Sequence, residues 1–390
     1  MEIILFSIAA IIVVLSYFLG VIKKVSFPYL AAFFLPLGGV VNLFGVSFLS
    51  FLIIFYLVII FNNTVLFRIK YLLYSGFFIT LFTINSIKNS SVYEFLIFFN
   101  FIITILFTFV FVFYYKKNNL LLTGDKWYFD SNKLALCILT GLCFSFISGY
   151  FTGHEGQRLG GYGISPNILA ALCLIALSLF LVQFKFKYIL PFSFLLPLGL
   201  LTGSRLFLFG LVFIVFYVIF FMEVGKNNKT FYKILFIGTF FGALLLFVHY
   251  GFFDLVLERT INPRNDDITN SRSYLWESYL QHYISTYRVI LFGGEIHFRV
   301  LQFNGIAQVP HNMLIEPLIA VGLIGTVLAF LLIYEALHRP AFRYFLTLPV
   351  LTLFLTGMTT HSFISVDFVI ILLLGVLSQN SFHAVNKENY

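Results

Sequence analysis

Pro310, His311 and Asn312 close a long hydrophilic stretch, and the apolar run that follows, HNMLIEPLIAVGLIG at 311–325, starts without a break. An imidazole at a wet boundary accepts a proton from a hydroxyl near neutral pH, which makes His311 a candidate general base. The first turn of a helix carries free backbone N–H groups and the positive end of the dipole, so anions are favoured there. Asn312 is the residue type that caps such a start, and Glu316 is a first-turn carboxylate. At helical spacing His311, Ile315, Leu318 and Gly322 share one face, while Gly322 and Gly325 permit close packing against a neighbour. Spacing alone leaves open whether His311 is a base, a cap or an interfacial residue.

Arginines supply the second chemistry. Arg205, in Thr202-Gly203-Ser204-Arg205, stands between two apolar runs with almost no loop. Such a position is costly and marks a ligand or ion partner, unless the side chain snorkels to the surface. Residues 151–167, FTGHEGQRLGGYGISPN, hold His154, Glu155 and Arg158 among five glycines before Pro166-Asn167 open the next run. Glycine lets backbone approach a ligand closely, and plain turn chemistry fits the segment equally. The stretch 254–310 adds Arg259, Arg264, Arg272, Arg288 and Arg299, with Trp276 one helical turn after Arg272. A guanidinium offers paired donors that match phosphate or carboxylate oxygens, where lysine offers only charge. The competing reading pairs these arginines with Asp254, Glu258, Asp266, Asp267, Glu277 and Glu295 in ordinary surface contacts.

Apolar helices must position these residues, because the chain holds little else. A composition 60% hydrophobic and 10% charged, with 54 Phe in 390 residues and a mean hydropathy of +0.98, excludes a soluble globular domain. It points to an all-α fold, a polytopic transmembrane helical bundle. A span takes about 20 mostly apolar residues, which predicts about 12–13 helices. They fall near 2–21, 27–44, 47–61, 70–86, 95–115, 134–150, 166–184, 188–203, 206–224, 234–253, 313–335, 342–358 and 363–379. The division within 27–61 is placed at Asn42 and Gly45, since one straight helix of that length would overshoot the bilayer. Residues 1–390 then form a single integral membrane domain, with 254–310 as one large external loop. The first run lacks a basic n-region and a small-residue cleavage site, so it reads as a retained helix. Cys137, Cys143 and Cys173 lie inside apolar runs and form neither a disulfide framework nor a metal-ligand spacing.

Basic residues orient the bundle. Numbering the loops alternately gives one side Lys23, Lys24, Arg68, Lys70, Lys116, Lys117, Lys126, Lys133, Lys185, Lys187, Lys226, Lys229, Lys233, Arg339, Arg343 and Lys387. The other side receives Lys88, Arg158, Arg205, Arg259, Arg264, Arg272, Arg288 and Arg299. Sixteen against eight makes the first side cytoplasmic and the long loop external. The inner set is mostly Lys and the outer set mostly Arg, which suggests an anionic ligand outside. The net charge of +8 reads as anchoring to anionic headgroups, not as nucleic-acid binding.

Taken in order, these motifs resemble the O-antigen polymerase and O-antigen ligase superfamily. The resemblance rests on His-Asn followed after nine residues by Gly-x-x-Gly at 311–325, Thr-Gly-Ser-Arg at 202–205, Arg-x-x-x-Trp at Arg272 and Trp276, and Pro-Asn at 166–167. It runs through about 150–335, and the first five helices add only hydrophobicity. Each motif is weak alone; their order, spacing and common side make the set specific.

The resemblance implies a membrane glycosyltransferase of the bacterial inner membrane with its active site facing the periplasm. Its donor would be an undecaprenyl-diphosphate-linked oligosaccharide. Arg205 and Arg272 would grip the diphosphate, and His311 would activate the acceptor hydroxyl, with Arg158, Asn312, Glu316, Trp276 and Arg264 in support. No Asp-x-Asp pair suited to a divalent metal stands on the outer side, and Asp266-Asp267 reads as a solvated loop pair. Transfer without metal or cofactor is expected, with a chain-length regulator and a flippase as partners. A polymerase passes the glycan to another lipid-linked repeat unit, and a ligase passes it to lipid A core. The abundance of Phe and the poor fit outside the motif helices favour polymerase. A transporter, such as a polysaccharide flippase, would be expected to carry internal repeats and ionisable residues near the bilayer midplane. The chain has no evident repeat and almost no charge inside its apolar runs.

Overall fold

The computed structural model describes residues 2–22, 26–38, 41–43, 46–61, 69–89, 92–117, 129–152, 159–160, 164–182, 186–221, scattered positions within 234–249, 272–293, 302–303, 306–307, 310–337, 346–358 and 365–387. Through them the chain is almost wholly helical. The helices are α1 (Glu2–Phe18), α2 (Phe27–Phe34), α3 (Phe48–Phe61), α4 (Ile69–Asn89), α5 (Val92–Lys117), α6 (Ser131–Thr152) and α7 (Pro166–Val182). There follow α8 (Ile189–Leu201), α9 (Arg205–Phe220), α10 (Arg272–Tyr283), α11 (Tyr287–Phe292), α12 (Ile315–Ala336), α13 (Leu348–Gly357) and α14 (Val366–Lys387). Two antiparallel ladders of two residues each, Asn42–Leu43 with Val46–Ser47 and Gln302–Phe303 with Ile306–Ala307, complete the regular structure described.

Local chemistry fixes the helix starts. The Asp130 carboxylate accepts the Asn132 N–H at 2.9 Å ahead of α6, and Ser365 Oγ accepts the Phe368 N–H at 3.2 Å ahead of α14. Several hydroxyls within the apolar helices are satisfied internally: Thr80, Thr83, Thr104, Thr108 and Thr140 each donate to the carbonyl four residues earlier at 2.7–2.8 Å. By length and apolar composition α12 is able to cross a membrane.

Most described boundaries fall close to those the hydrophobic pattern predicts; the run expected at 234–253 lies largely outside the described residues, α14 continues to Lys387 beyond the expected 379, and two further differences stand out. At 27–44 the helix ends at Phe34, a 3-10 turn carries Leu35–Leu37, and the Asn42–Ser47 ladder follows. Pro36 cannot supply the N–H that a continuing helix needs. The division placed at Asn42 and Gly45 coincides with that ladder. The second difference is 254–310, which is not uninterrupted loop: α10, α11 and the second ladder lie inside it.

Helix α7 is buried along almost its whole length, with α6, α8, α9 and α13 packed around it. Helices α7 and α9 run the same way, and Gly210 of α9 faces the Leu174 side chain of α7. The apolar interior has two parts. The large one takes in α1–α9, α13, α14 and α12 from Ala320 onward. A smaller one joins Leu275, Tyr279 and Tyr283 of α10 to Ile315 and Ile319 of α12, with Trp276, Val289, Ile290 and Leu318 packed against it.

Candidate functional site

A single hydrogen bond sets the level of the site. Near the end of α9, Tyr217 donates its hydroxyl to the Leu346 carbonyl, just before α13, at 3.4 Å. From that level α9 leads back to Arg205 and α13 leads forward to Gly357, the two helices packed against each other. At 1.5 Å per residue both paths rise roughly 16–18 Å, so Arg205 and Gly357 reach one level to within about a turn. Gly357 and Met358 then hold the His311 segment. The Met313 N–H donates to Gly357 O at 3.0 Å, and Asn312 Nδ2 donates to Met358 O at 3.4 Å. Arg205 and His311, 106 positions apart by their numbers, therefore stand at the same end of the packed helices.

Arg205 is the first residue of α9 and is half-buried, with its Nη1 atom out of contact with solvent. The turn before it is tight. Thr202 Oγ1 donates to Gly199 O at 2.6 Å, Gly203 adopts φ +60°, and Ser204 is extended. Ser204 Oγ donates to Asn167 Oδ1 at 3.0 Å, and the Leu159 N–H donates to Leu201 O at 2.9 Å. Pro166-Asn167 thus opens α7 beside the Arg205 turn, and both short motifs converge as the sequence led one to expect. His154, Glu155 and Arg158 lie outside the described residues, as do Arg264, Asp266, Asp267 and His297.

His311 is exposed and has φ +48°, a left-handed backbone that few residues other than glycine adopt. Asn312 behind it is 2% exposed and works as the cap predicted: its Oδ1 accepts the N–H groups of Leu314 at 2.9 Å and Ile315 at 3.2 Å. The regular helix begins at Ile315, with Glu316 buried in its first turn. His311 consequently precedes the helix and does not share a helical face with Ile315, Leu318 and Gly322. The Asn312 cap ends the helical register before His311 is reached.

Trp276 comes to the same place from α10, its indole Nε1 donating to Pro310 O at 2.7 Å. Arg272 opens α10 one turn earlier; its side chain is outside the described part. Tyr283, at the end of α10, donates to Ile290 O at 2.8 Å, and burial pushes its phenol pKa up, so it keeps its proton.

Gly322 packs against a neighbour as its spacing predicts, and it also breaks the helix, with φ +67° and ψ −175°. A Cβ there would lie 2.5 Å from Leu291 C and O, and one on Gly293 would lie 2.5 Å from Ala320 O. Only two glycines permit this backbone contact. Gly325 differs: the nearest atoms to an added Cβ belong to Val321 of the same helix.

Unforeseen from sequence are the Ser204–Asn167 bond, Gly293 and the Gly357-Met358 carbonyls. The Gly293-Gly294 doublet was a readable sign of close backbone approach; a backbone carbonyl leaves no signature. Among the described residues no three His, Cys, Asp or Glu side chains gather to hold a metal ion. Compared with known proteins, the chain matches no family model, no curated protein and no solved structure.

Proposed function

We propose that the chain is a polytopic transmembrane glycosyltransferase that polymerises lipid-linked repeat units on the periplasmic face of a bacterial inner membrane. The observation that carries the reading is the placement of Arg205 and the capped His311-Asn312 start at one end of the helices, at one level. That end also receives α10 and Trp276.

In the proposed step the acceptor sugar hydroxyl attacks the anomeric carbon of an undecaprenyl-diphosphate-linked glycan. The hydroxyl proton passes to the His311 imidazole, and the bond from that carbon to the diphosphate oxygen breaks. The leaving diphosphate keeps the electron pair, and fixed cations at Arg205 and Arg272 stabilise its charge. His311 is exposed, as an acceptor site requires, while Arg205 is recessed, as a site for a membrane-borne headgroup requires.

Purified protein in liposomes, supplied with the lipid-linked repeat unit, tests the proposal. A ladder of longer glycans with release of undecaprenyl diphosphate is expected. Absence of both overturns the reading, and turnover only when lipid A core is added makes the protein a ligase.

A further inference from the structure

Helix α11 and the turn before it carry an unusually apolar exposed surface for a segment outside the long helices. Tyr287 is 87% exposed and Ile284 63%, with Leu291 and Phe292 exposed beside Arg288. In water such a patch is unfavourable, whereas aromatic and aliphatic residues flanked by arginine suit a lipid interface.

Depth decides between the two. A hydrocarbon core of ~30 Å takes about 20 mostly apolar residues, and the apolar run Ile315–Ala336 is 22 residues long, so its outer edge falls near the start of α12. Ala320–Gly322 then lie inside that edge, more than one helical turn in and at the break. The backbone of Leu291–Gly293 is in contact with Ala320–Gly322. Trp276, by contrast, is bonded to Pro310, above that edge. Chain 272–293 accordingly descends along the first turns of α12 and reaches hydrocarbon depth at α11. Beyond Gly322, α12 itself exposes the apolar Leu323 and Val327.

We infer that α11 with its preceding turn is a re-entrant element seated in the outer leaflet, its exposed Ile284, Tyr287, Leu291 and Phe292 covered by lipid acyl chains. It is held there by the Gly293–Gly322 backbone contact. Arg288 extends its guanidinium back to the phosphate level. Irregular backbone at this depth is tolerated because its buried side packs on α12. The inference rests on the membrane reading above and is independent of the proposed reaction.

The test is site-directed spin labelling of protein in phosphatidylglycerol/phosphatidylethanolamine liposomes, comparing relaxation by oxygen with relaxation by a water-soluble nickel complex. Labels go at Tyr287→Cys and Leu291→Cys, with Phe330→Cys on the exposed face of α12 and Glu277→Cys on α10 as references. Oxygen should dominate at 287, 291 and 330, and nickel at 277. If 287 and 291 behave like 277 while 330 reads lipid, the re-entrant assignment is wrong and the membrane reading stands. If 330 also reads water, both are wrong.

Discussion

Trp276 and Pro310 are separated by 34 residues, yet the indole N–H of one meets the carbonyl oxygen of the other at 2.7 Å. Pro310 is the residue before His311, so the bond ties α10 to the backbone that sets the imidazole.

Trp276→Phe keeps an aromatic ring while removing the N–H donor and trimming the ring system packed on the smaller cluster. A net hydrogen bond is worth about 0.5–1.5 kcal/mol, so a loss of up to roughly tenfold in kcat is expected. Kinetics with the lipid-linked repeat unit check it. Unchanged kcat alongside a lowered Tm would make the bond a packing feature without bearing on His311.

His311→Ala should lower turnover by about 10²- to 10⁴-fold while leaving donor binding intact. Gln can hydrogen-bond but takes no proton near neutral pH, so His311→Gln should be nearly as inactive. Substantial turnover by the Gln variant would remove the base role from His311 and direct attention to His154, His282 or His297.

At the donor subsite, charge and geometry are separable. Arg205→Lys and Arg272→Lys keep the cation but lose the paired donors, and both should impair transfer strongly. Polymer of normal amount and length in both variants would reduce these arginines to anchors. Arg339→Lys, assigned to the opposite side by charge, is the matched control and should be silent.

The Gly293–Gly322 contact predicts a stability effect. Gly322→Ala adds a Cβ against backbone and forces an L residue to φ +67°, ψ −175°, a region essentially reserved for glycine, the latter alone costing about 1–3 kcal/mol. Gly76→Ala, in open space within a helix, should be neutral or slightly stabilising. Thermal denaturation in detergent compares the two; equal Tm values would contradict the close approach.

Topology is checked with cysteines placed in a cysteine-free background. A thiol at position 277 should react with an impermeant reagent in cells with a permeabilised outer membrane, and thiols at 117 and 228 only after lysis. The reverse pattern would invert the protein and remove the proposed site from the periplasm.

Hydropathy made most of the helices legible, because their apolar residues run without a period to confuse. It failed at 27–44, where Pro36 stops the helix although the residues stay hydrophobic, and at 272–293, where mixed polarity hides helices that pack on α12. The cap at Asn312 was foreshadowed by residue type and position, while nothing in the spacing of Ser204 and Asn167 told of their bond. The left-handed turn at His311 was not foreshadowed either, since histidine carries no preference for it strong enough to read. Nor could the Tyr217–Leu346 bond be foreseen, and it is this bond that ties the levels of Arg205 and Gly357 together.

The division of the apolar interior has a consequence for how the molecule opens. Only a handful of side chains from α10, α11 and the first turns of α12 make up the smaller part, while α12 from Ala320 onward belongs to the large one. A unit with so little buried area exchanges its amide hydrogens by local opening well below the free energy of global unfolding. The break at Gly322 marks where such an opening stops. Residues 275–283 would detach from Ile315 and Ile319, leaving Arg205, the Asn167–Ser204 bond and the Met313–Gly357 bond in place. The edge of the site that carries Trp276 thus has the lower threshold for motion, while His311 stays with the large part through Met313.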